Sequence, residues 1–153
     1  MNTFAFENKP DWYRRKNIHK RTLRTLLHQL FKDYGFHVKH VSFILLSDEA
    51  LLQINRKYLN HDYYTDVITF NLSENQEFVV GEVYMSMDTI KTNAARFNCS
   101  VKDEFLRVTI HSCLHLCGLD DHNELEQQEM RAKEDHYIKK FYDIDTEKQE
   151  DEP

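Results

Sequence analysis

Two histidines four residues apart, His111 and His115, are the clearest chemical signal in this sequence. On an α-helix that spacing places side chains about 40° apart around the axis and one turn apart along it, so both imidazoles can reach one metal ion. Gly118 follows, and glycine commonly ends helices because it adopts positive φ without a steric clash. A chain that turns back there can bring Asp121 or His122 to the ion as a third ligand. Three protein ligands leave one position open, which is typical of catalytic rather than structural zinc.

Histidine pairs at this spacing also occur where no metal binds, as solvated or hydrogen-bonded side chains. The glycine and the ligand-type residues that follow favour a metal site here. Cys113 and Cys117 lie about 200° and 240° around the helix from His111. We therefore expect both cysteines to face away from the metal, as small buried apolar residues. Apolar residues that suit a buried helix precede the pair: Val101, Phe105, Val108 and Ile110.

The hydrophobic pattern predicts four strands and five helices that position this pair. Strands are predicted over 3–6, 38–46, 66–72 and 78–87, and helices over 17–34, 48–58, 88–98, 101–117 and 124–141. Ser47 and Asp88 are the predicted N-caps of the second and third helices. The short 73–77 connection predicts an antiparallel hairpin. The order β-α-β-α-β-β-α-α-α predicts an α/β (α+β) fold, a mixed four-stranded sheet packed with about five helices, with a zincin-like metal site at a helix end.

Length and composition predict one globular domain. The chain has 153 residues, of which 41% are hydrophobic and 30% charged, enough for a sizeable core. We expect residues 1–142 to form a single domain that contains the candidate metal site, and the acidic residues 143–153 to be a disordered tail. No apolar run approaches the roughly 18 residues of a membrane helix, and residues 1–10 lack the layout of a signal peptide. The odd count of three cysteines does not suggest disulfides. We therefore expect a cytoplasmic location and no membrane partner.

The net charge of −6 is unevenly distributed. Residues 14–24 contain six cations and no acids, whereas 143–152 contain six acids and one lysine. The basic segment can contact phosphates or form a solvated helix face, and the sequence does not decide between the two.

Residues 111–122 resemble a signature of the YbeY endoribonucleases, the bacterial rRNA maturation factors. The segment reads His-Ser-Cys-Leu-His-Leu-Cys-Gly-Leu-Asp-Asp-His, and the family signature reads His-Gly-x-Leu-His-Leu-x-Gly-Tyr-Asp-His. The third family histidine lies ten residues after the first, where this chain has Asp121, and His122 follows one position later. We expect Asp121 to be the third ligand. An extra residue in the turn after Gly118 would give that role to His122 instead.

Residues 52–70 resemble a second YbeY signature, Leu-Asn-x-x-aromatic-Arg-x-x-Asp-x-Pro-Thr-Asp-Val-Leu-Ser-Phe. The matching residues are Asn55, Tyr58, Asp62, Thr65, Asp66, Val67 and Phe70, and residues 81–86 resemble the following Gly-Asp-Ile-x-Ile-Ser strand. The family arginine after the aromatic is Leu59 here. Arg56, Lys57 and His61 are nearby candidates for substrate contacts, although for each one taken singly we favour a solvated side chain.

The resemblance implies a zinc-dependent, single-strand-specific endoribonuclease in late-stage rRNA processing, including 16S rRNA 3′ end maturation, and in ribosome biogenesis. One Zn²⁺ per chain is the implied cofactor, with metal-bound water as the reactive group and no side chain assigned as general acid. The implied partners are single-stranded RNA, such as an rRNA precursor, and the small ribosomal subunit. The resemblance does not imply an oligomeric state.

Two other functions remain open on the sequence. Zinc peptidases use His-Glu-x-x-His, with the glutamate as general base, and this chain has Ser112 at that position. A peptidase would need a carboxylate from elsewhere in the fold. A non-catalytic ribosome-assembly factor with structural zinc is the second possibility, and a closed site with both Asp121 and His122 bound would favour it.

Overall fold

The structure of this chain is a computed structural model that describes residues 3–11, 13, 18–75 and 77–150. Within these residues the elements follow the predicted order. The strands are β1 (Phe4–Glu7), β2 (His37–Leu46), β3 (Val67–Asn71) and β4 (Phe78–Ser86), and the helices are α1 (Lys20–Asp33), α2 (Asp48–Leu59), α3 (Met87–Arg96), α4 (Val101–Leu116) and α5 (Glu124–Glu150).

The four strands form one mixed sheet in the order β1-β2-β4-β3. The β1–β2 and β2–β4 pairs are parallel, and β3 pairs antiparallel with β4. This confirms the predicted mixed four-stranded sheet and its hairpin. Strand β3 is an edge strand, so one of its sides remains open to the segments that form the site.

Helix α4, which includes the two histidines, is the most buried helix of the fold. Its fully buried side chains include Phe105, Leu106, Ile110 and Leu114. They join one hydrophobic cluster that contains residues of β1, β2, β4 and every helix except α2. The bulk of α4 is therefore fixed by packing, which limits the movement of the side chains at its C-terminal end.

A glycine in β4 allows the end of α4 to approach the sheet closely. A Cβ atom added at Gly81 would lie 2.9 Å from Cδ1 of Leu116, closer than two carbon atoms normally approach. Leu116 is 3% exposed and comes directly after His115. The absent side chain at Gly81 thus lets the last turn of α4 pack directly on β4.

Ser47, Ser86 and Ser100 cap α2, α3 and α4. Ser47 caps α2 as predicted, because its side chain accepts a hydrogen bond from the Ala50 amide. The predicted cap of α3 was wrong: Ser86 at the end of β4 accepts from the Thr89 amide, and the helix begins at Met87. Asp88 instead accepts a hydrogen bond from the Asp48 amide, which joins the starts of α2 and α3.

Helix α5 is longer than predicted. Residues 143–150 continue the helix in place of the disordered tail that the acidic composition suggested. Asp145 is only 8% exposed and accepts a hydrogen bond from Thr22 at 3.0 Å. Its Oδ1 atom also lies 2.6 Å from Nδ1 of His19. These contacts with the start of α1 explain the correction, because a buried and paired carboxylate stabilises a segment that would otherwise be solvated.

Several expectations concern residues outside the described part of the chain. Arg14, Arg15 and Lys16 of the basic segment belong there, and so do residues 151–153 at the acidic end. Among the described residues, no helix combines the length and apolar character needed to cross a membrane.

Candidate metal centre

His111, His115 and Asp121 come together where α4 ends and the chain turns back. One ligand atom from each of the three lies within 4.8 Å of the others. Gly118 has a φ of +93°, so glycine is favoured at the turn that returns the chain toward the helix. The Gly118 amide donates to the His115 carbonyl at 2.9 Å, and this bond closes the last turn of the helix.

The spacing of the three ligand atoms is close to that of a tetrahedral zinc site. The Nε2 atoms of His111 and His115 are 2.9 Å apart. Oδ2 of Asp121 lies 3.4 Å from the first and 3.5 Å from the second. Zinc–ligand bonds of about 2.0–2.1 Å at tetrahedral angles separate neighbouring ligand atoms by about 3.3 Å. These three residues can therefore hold such an ion with little rearrangement.

The ring of His115 is held with a nitrogen lone pair toward this cluster. Its Nδ1 atom lies 2.8 Å from the carbonyl oxygen of Leu119, which can only accept a hydrogen bond. Nδ1 must therefore carry the proton. In the neutral ring Nε2 then presents its lone pair to Asp121 and His111, which is the tautomer that a metal ligand needs.

A carboxylate on α5 orients the ring of His111 in the same way. Nδ1 of His111 lies 2.7 Å from Oε2 of Glu134, whose side chain is buried. Oε1 of Glu134 accepts a hydrogen bond from Arg107 at 2.9 Å, so both of its oxygens are engaged. Burial lowers the pKa of His111, but Glu134, Asp121 and Asp66 outweigh it and the net shift is upward. This local excess of negative charge favours a cation at Nε2.

The arrangement of the two imidazoles favours a positive charge between their Nε2 atoms. With both Nδ1 atoms donating, two Nε2 lone pairs meet at 2.9 Å. Two lone pairs at that distance repel each other unless a proton or a metal ion lies between them. The Asp121 carboxylate beside them favours the ion further.

Two clefts meet at this cluster, and both are lined by Asp66, His111 and Asp121. The first has a volume of about 490 Å³ and extends past Glu104 and Glu134 toward α3. The second has a volume of about 620 Å³ and extends along β3 to the loop of residues 60–66. A bound molecule can therefore reach the cluster from two sides.

Asp66 places a further carboxyl group beside the cluster. Burial raises its pKa above the ordinary value, although His111, local backbone amides and the Thr65 hydroxyl favour its charged form. Deeper in the first cleft, burial and the nearby Asp66 raise the pKa of Glu104 to about 7, against the lowering effect of Arg107. The cleft beside the cluster is thus rich in carboxyl groups that a cation would stabilise in ionised form.

The remaining predicted site residues differ in their placement. His122 does not join the cluster: its side chain is 80% exposed and its Nε2 atom lies 3.6 Å from Asp120. Arg56 forms an ion pair with Asp62, and Nζ of Lys57 lies 5.2 Å from the centre of the Tyr58 ring. Of the three candidates for substrate contacts, His61 alone lines a cleft that contains the cluster of His111, His115 and Asp121. The role of His61 in contacting the substrate remains a prediction.

The residues expected to face away from the cluster do so. Cys113 is fully buried and Cys117 is 9% exposed, in the hydrophobic cluster. Ser112, at the position of the peptidase glutamate, is also fully buried. Its hydroxyl donates to the Val108 carbonyl at 2.8 Å, so it cannot act in the clefts.

Three contributors to the site were missed on the sequence. Glu134 lies on α5, and no spacing rule in the sequence links it to the two histidines. Asp66 was noted as part of a signature, and that match was the available signal for its importance. The Leu119 carbonyl is a backbone group that no residue pattern identifies. Each of them depends on how separate segments pack around α4.

Comparisons with known proteins identify a family. The family model described as Endoribonuclease YbeY matches residues 6–142. A protein named Endoribonuclease YbeY from Cytophaga hutchinsonii is 44% identical over 113 residues, which are 74% of this chain and 79% of the relative. One of the same name from Chlorobaculum tepidum is 44% identical over 127 residues, covering 80% of this chain and 92% of the relative.

A solved structure has a similar fold. The solution structure of TM1509 from Thermotoga maritima aligns with a TM-score of 0.63 and 29% sequence identity. The alignment covers 93% of this chain and 89% of the other. Because the family model spans most of the sequence and the named relatives are similar over most of their own length, this chain belongs to the endoribonuclease YbeY family.

Proposed function

We propose that this protein is a zinc-dependent endoribonuclease that cleaves single-stranded RNA during late-stage rRNA processing. The observation that supports this most strongly is the cluster of His111, His115 and Asp121, with both imidazoles held by their Nδ1 atoms so that both Nε2 atoms face one point. Membership of the family supports RNA as the substrate. We further propose maturation of the 16S rRNA 3′ end as the step and the small ribosomal subunit as the partner, which implies a cytoplasmic location.

His111, His115 and Asp121 would hold the zinc ion. When bound, zinc acts as a Lewis acid and supplies a water ligand of lowered pKa, which suits hydrolysis of a phosphodiester at neutral pH. The other residues prepare this arrangement. Glu134 and the Leu119 carbonyl hold the two rings in their ligand tautomers. Asp66, on the wall of both clefts, is placed to orient a water molecule or hold a proton beside the reacting phosphate.

The carboxylates of the site indicate that an anionic substrate would need a metal ion there. Asp66 and Asp121 line both clefts, and carboxylates repel the phosphate groups of RNA. A divalent cation held by His111, His115 and Asp121 would offset this repulsion. RNA cleavage should therefore require the metal both for binding the phosphate and for the chemistry.

The number of residues in the cluster supports an enzyme over a purely structural site. Three ligand-type side chains meet in the described part of the chain, and His122 points away from them. A structural zinc site normally has four protein ligands, whereas a catalytic one keeps an open position. The assembly-factor function is therefore less well supported.

The peptidase function has some structural support as well. Ser112 cannot serve as a base, but Asp66 supplies a carboxyl group in the same cleft as His111. We therefore favour a nuclease over a peptidase because of family membership, and not because the site lacks a carboxylate that could act as a base.

The test is to incubate the purified protein with labelled rRNA precursor, and separately with casein, each with and without a chelator. RNA cleavage that stops with chelator and returns with added Zn²⁺ is the expected result. The double variant His111→Ala/His115→Ala should be inactive. His136→Ala, which changes an exposed histidine on α5, is the matched control and should be active. Chelator-sensitive cleavage of casein with intact RNA would favour the peptidase function over the nuclease function. Intact RNA and casein with tight binding to small ribosomal subunits would favour the assembly factor.

A further inference from the structure

Two aromatic rings lie at the mouth of the second cleft. The rings of His61 and Tyr63 are stacked, with centroids 5.1 Å apart and planes inclined by 21°. Oη of Tyr63 lies 2.9 Å from Nδ1 of His61, so a hydrogen bond joins the two side chains. Both residues line the cleft that also contains His111 and His115. The ring pair is therefore connected to the metal-binding cluster by one continuous surface.

Contacts with α2 fix the loop that contains this pair. Asn55 is 1% exposed, and its side chain donates to the Tyr63 carbonyl at 2.8 Å. The Asn55 carbonyl accepts a hydrogen bond from the His61 amide at 3.2 Å. The ion pair between Arg56 and Asp62 joins the loop and the helix a third time. The loop is thus held in one conformation by contacts that do not bury the two rings.

Neither ring is buried in a hydrophobic core. Tyr63 is 56% exposed, and His61 is exposed as well. An exposed aromatic ring forgoes the favourable burial that such side chains usually gain. Rings that are braced, stacked and still exposed beside a site are suited to a ligand with a flat face.

We propose that the His61–Tyr63 pair is a stacking platform for an unpaired nucleobase of the RNA substrate, next to the phosphodiester at the metal centre. This inference rests on the proposed function and names the group recognised in the second cleft. Aromatic side chains commonly bind single-stranded nucleic acid by stacking on base faces. A base in a duplex stacks on its neighbours on both sides, so only an unpaired base can bind in this way.

The other walls of the cleft favour a base over a phosphate at this position. Leu59 and Val67 are apolar, and Asn71 offers an amide that can bond to a base edge. Asp66, at the end of the loop, lines the cleft together with His111 and Asp121, and its carboxylate repels a phosphate. No lysine or arginine lines this cleft among the described residues. Affinity at this end should therefore come from stacking rather than from charge pairing.

The experiment measures binding and cleavage separately with one RNA. A short single-stranded oligonucleotide with one 2-aminopurine is titrated with the purified protein, and quenching of its fluorescence reports stacking on a ring. The same oligonucleotide is then assayed for cleavage. The variants are Tyr63→Ala, His61→Ala and Tyr63→Phe. Phe78→Ala is the matched control, because Phe78 is 47% exposed and lines neither cleft of the metal centre.

Tyr63→Ala should weaken binding about ten-fold and abolish most of the quenching. His61→Ala should act in the same direction. Tyr63→Phe keeps the ring and should retain binding within about two-fold, and Phe78→Ala should match the wild type. Circular dichroism of each variant checks that it is folded.

The outcomes distinguish this inference from the proposed function. Cleavage by the wild type, with equal quenching and affinity in Tyr63→Ala, overturns the stacking platform and leaves the nuclease standing. Binding without cleavage by the wild type, with quenching that is lost in Tyr63→Ala, supports the platform and overturns the nuclease. Neither binding nor cleavage overturns both.

Discussion

Nδ1 of His111 on α4 lies 2.7 Å from Oε2 of Glu134 on α5, although 23 residues separate the two in the chain. This contact fixes which nitrogen of His111 faces Asp121. Arg107 holds the other oxygen of Glu134, so the carboxylate cannot rotate freely away from the ring. A residue that binds no metal itself thereby orients one that can.

The contact predicts that Glu134→Gln weakens zinc binding about ten-fold. The amide still accepts a hydrogen bond from Nδ1, but it loses the negative charge that makes the imidazole a stronger ligand. Competition with a chromophoric chelator measures the affinity. Asp135→Asn is the control, because Asp135 also pairs with Arg107 but does not contact His111. Equal losses in both variants would assign the effect to Arg107.

Asp121→Ala and His122→Ala should behave differently. We expect loss of Asp121 to weaken zinc binding by at least about ten-fold, because a direct ligand should contribute no less than an outer one. Loss of His122 should change the affinity little, since its side chain is 80% exposed. Elemental analysis after dialysis, with both variants side by side, checks this. Metal loss in His122→Ala alone would mean that the turn rearranges to bring in that histidine.

Asp66→Asn should reduce RNA cleavage by roughly 100-fold, the contribution expected of a side chain that moves a proton in the reaction. Its zinc content should match the wild type, because Asp66 is not one of the three clustered ligands. Asp120→Asn, a change at a 63% exposed side chain, is the control. Cleavage within about two-fold of wild type in Asp66→Asn would remove Asp66 from the reaction.

Asp145→Asn should destabilise the fold at neutral pH by about 1 kcal/mol through the loss of charged hydrogen bonds. Burial raises the pKa of Asp145, but its bonds to His19 and Thr22 outweigh burial, so the folded-state pKa lies below the ordinary 3.8. The ionised carboxylate therefore stabilises the fold above that value, and this contribution is lost as the pH falls through the folded-state pKa.

Urea unfolding at pH 6 and pH 3.5 tests this expectation. The difference between wild type and Asp145→Asn should be large at the higher pH and smaller at the lower one. Asp143→Asn, a change at an exposed residue two positions earlier, is the control. No destabilisation at pH 6 would show that residues beyond 142 contribute little to the fold.

Local patterns predicted the elements and one face of the site. The spacing of His111 and His115 determines their common face through helix geometry alone, and Gly118 identified the turn that returns the chain. The short connection after β3 predicted its antiparallel pairing with β4. These features depend on residues close in sequence, so a single sequence is enough to read them.

Longer-range features required the fold. The extension of α5 past Phe141 could not be read from its acidic composition, because Asp145 is stabilised by His19 and Thr22 on the distant α1. The His61–Tyr63 platform likewise depends on hydrogen bonds from Asn55, which fix how the loop passes over α2.

The sequence by itself determined a helix with two imidazoles on one face and a turn that offers Asp121 and His122 as further candidate ligands. Only the tertiary structure placed Asp121 within 3.4 Å of His111, turned His122 outward, and brought Glu134 and Asp66 to the same centre. The physical reason is that a helix sets the angle between residues four apart through its own backbone. The meeting of α4, α5 and the end of the 60–66 loop depends on the packing of side chains that are far apart in the chain.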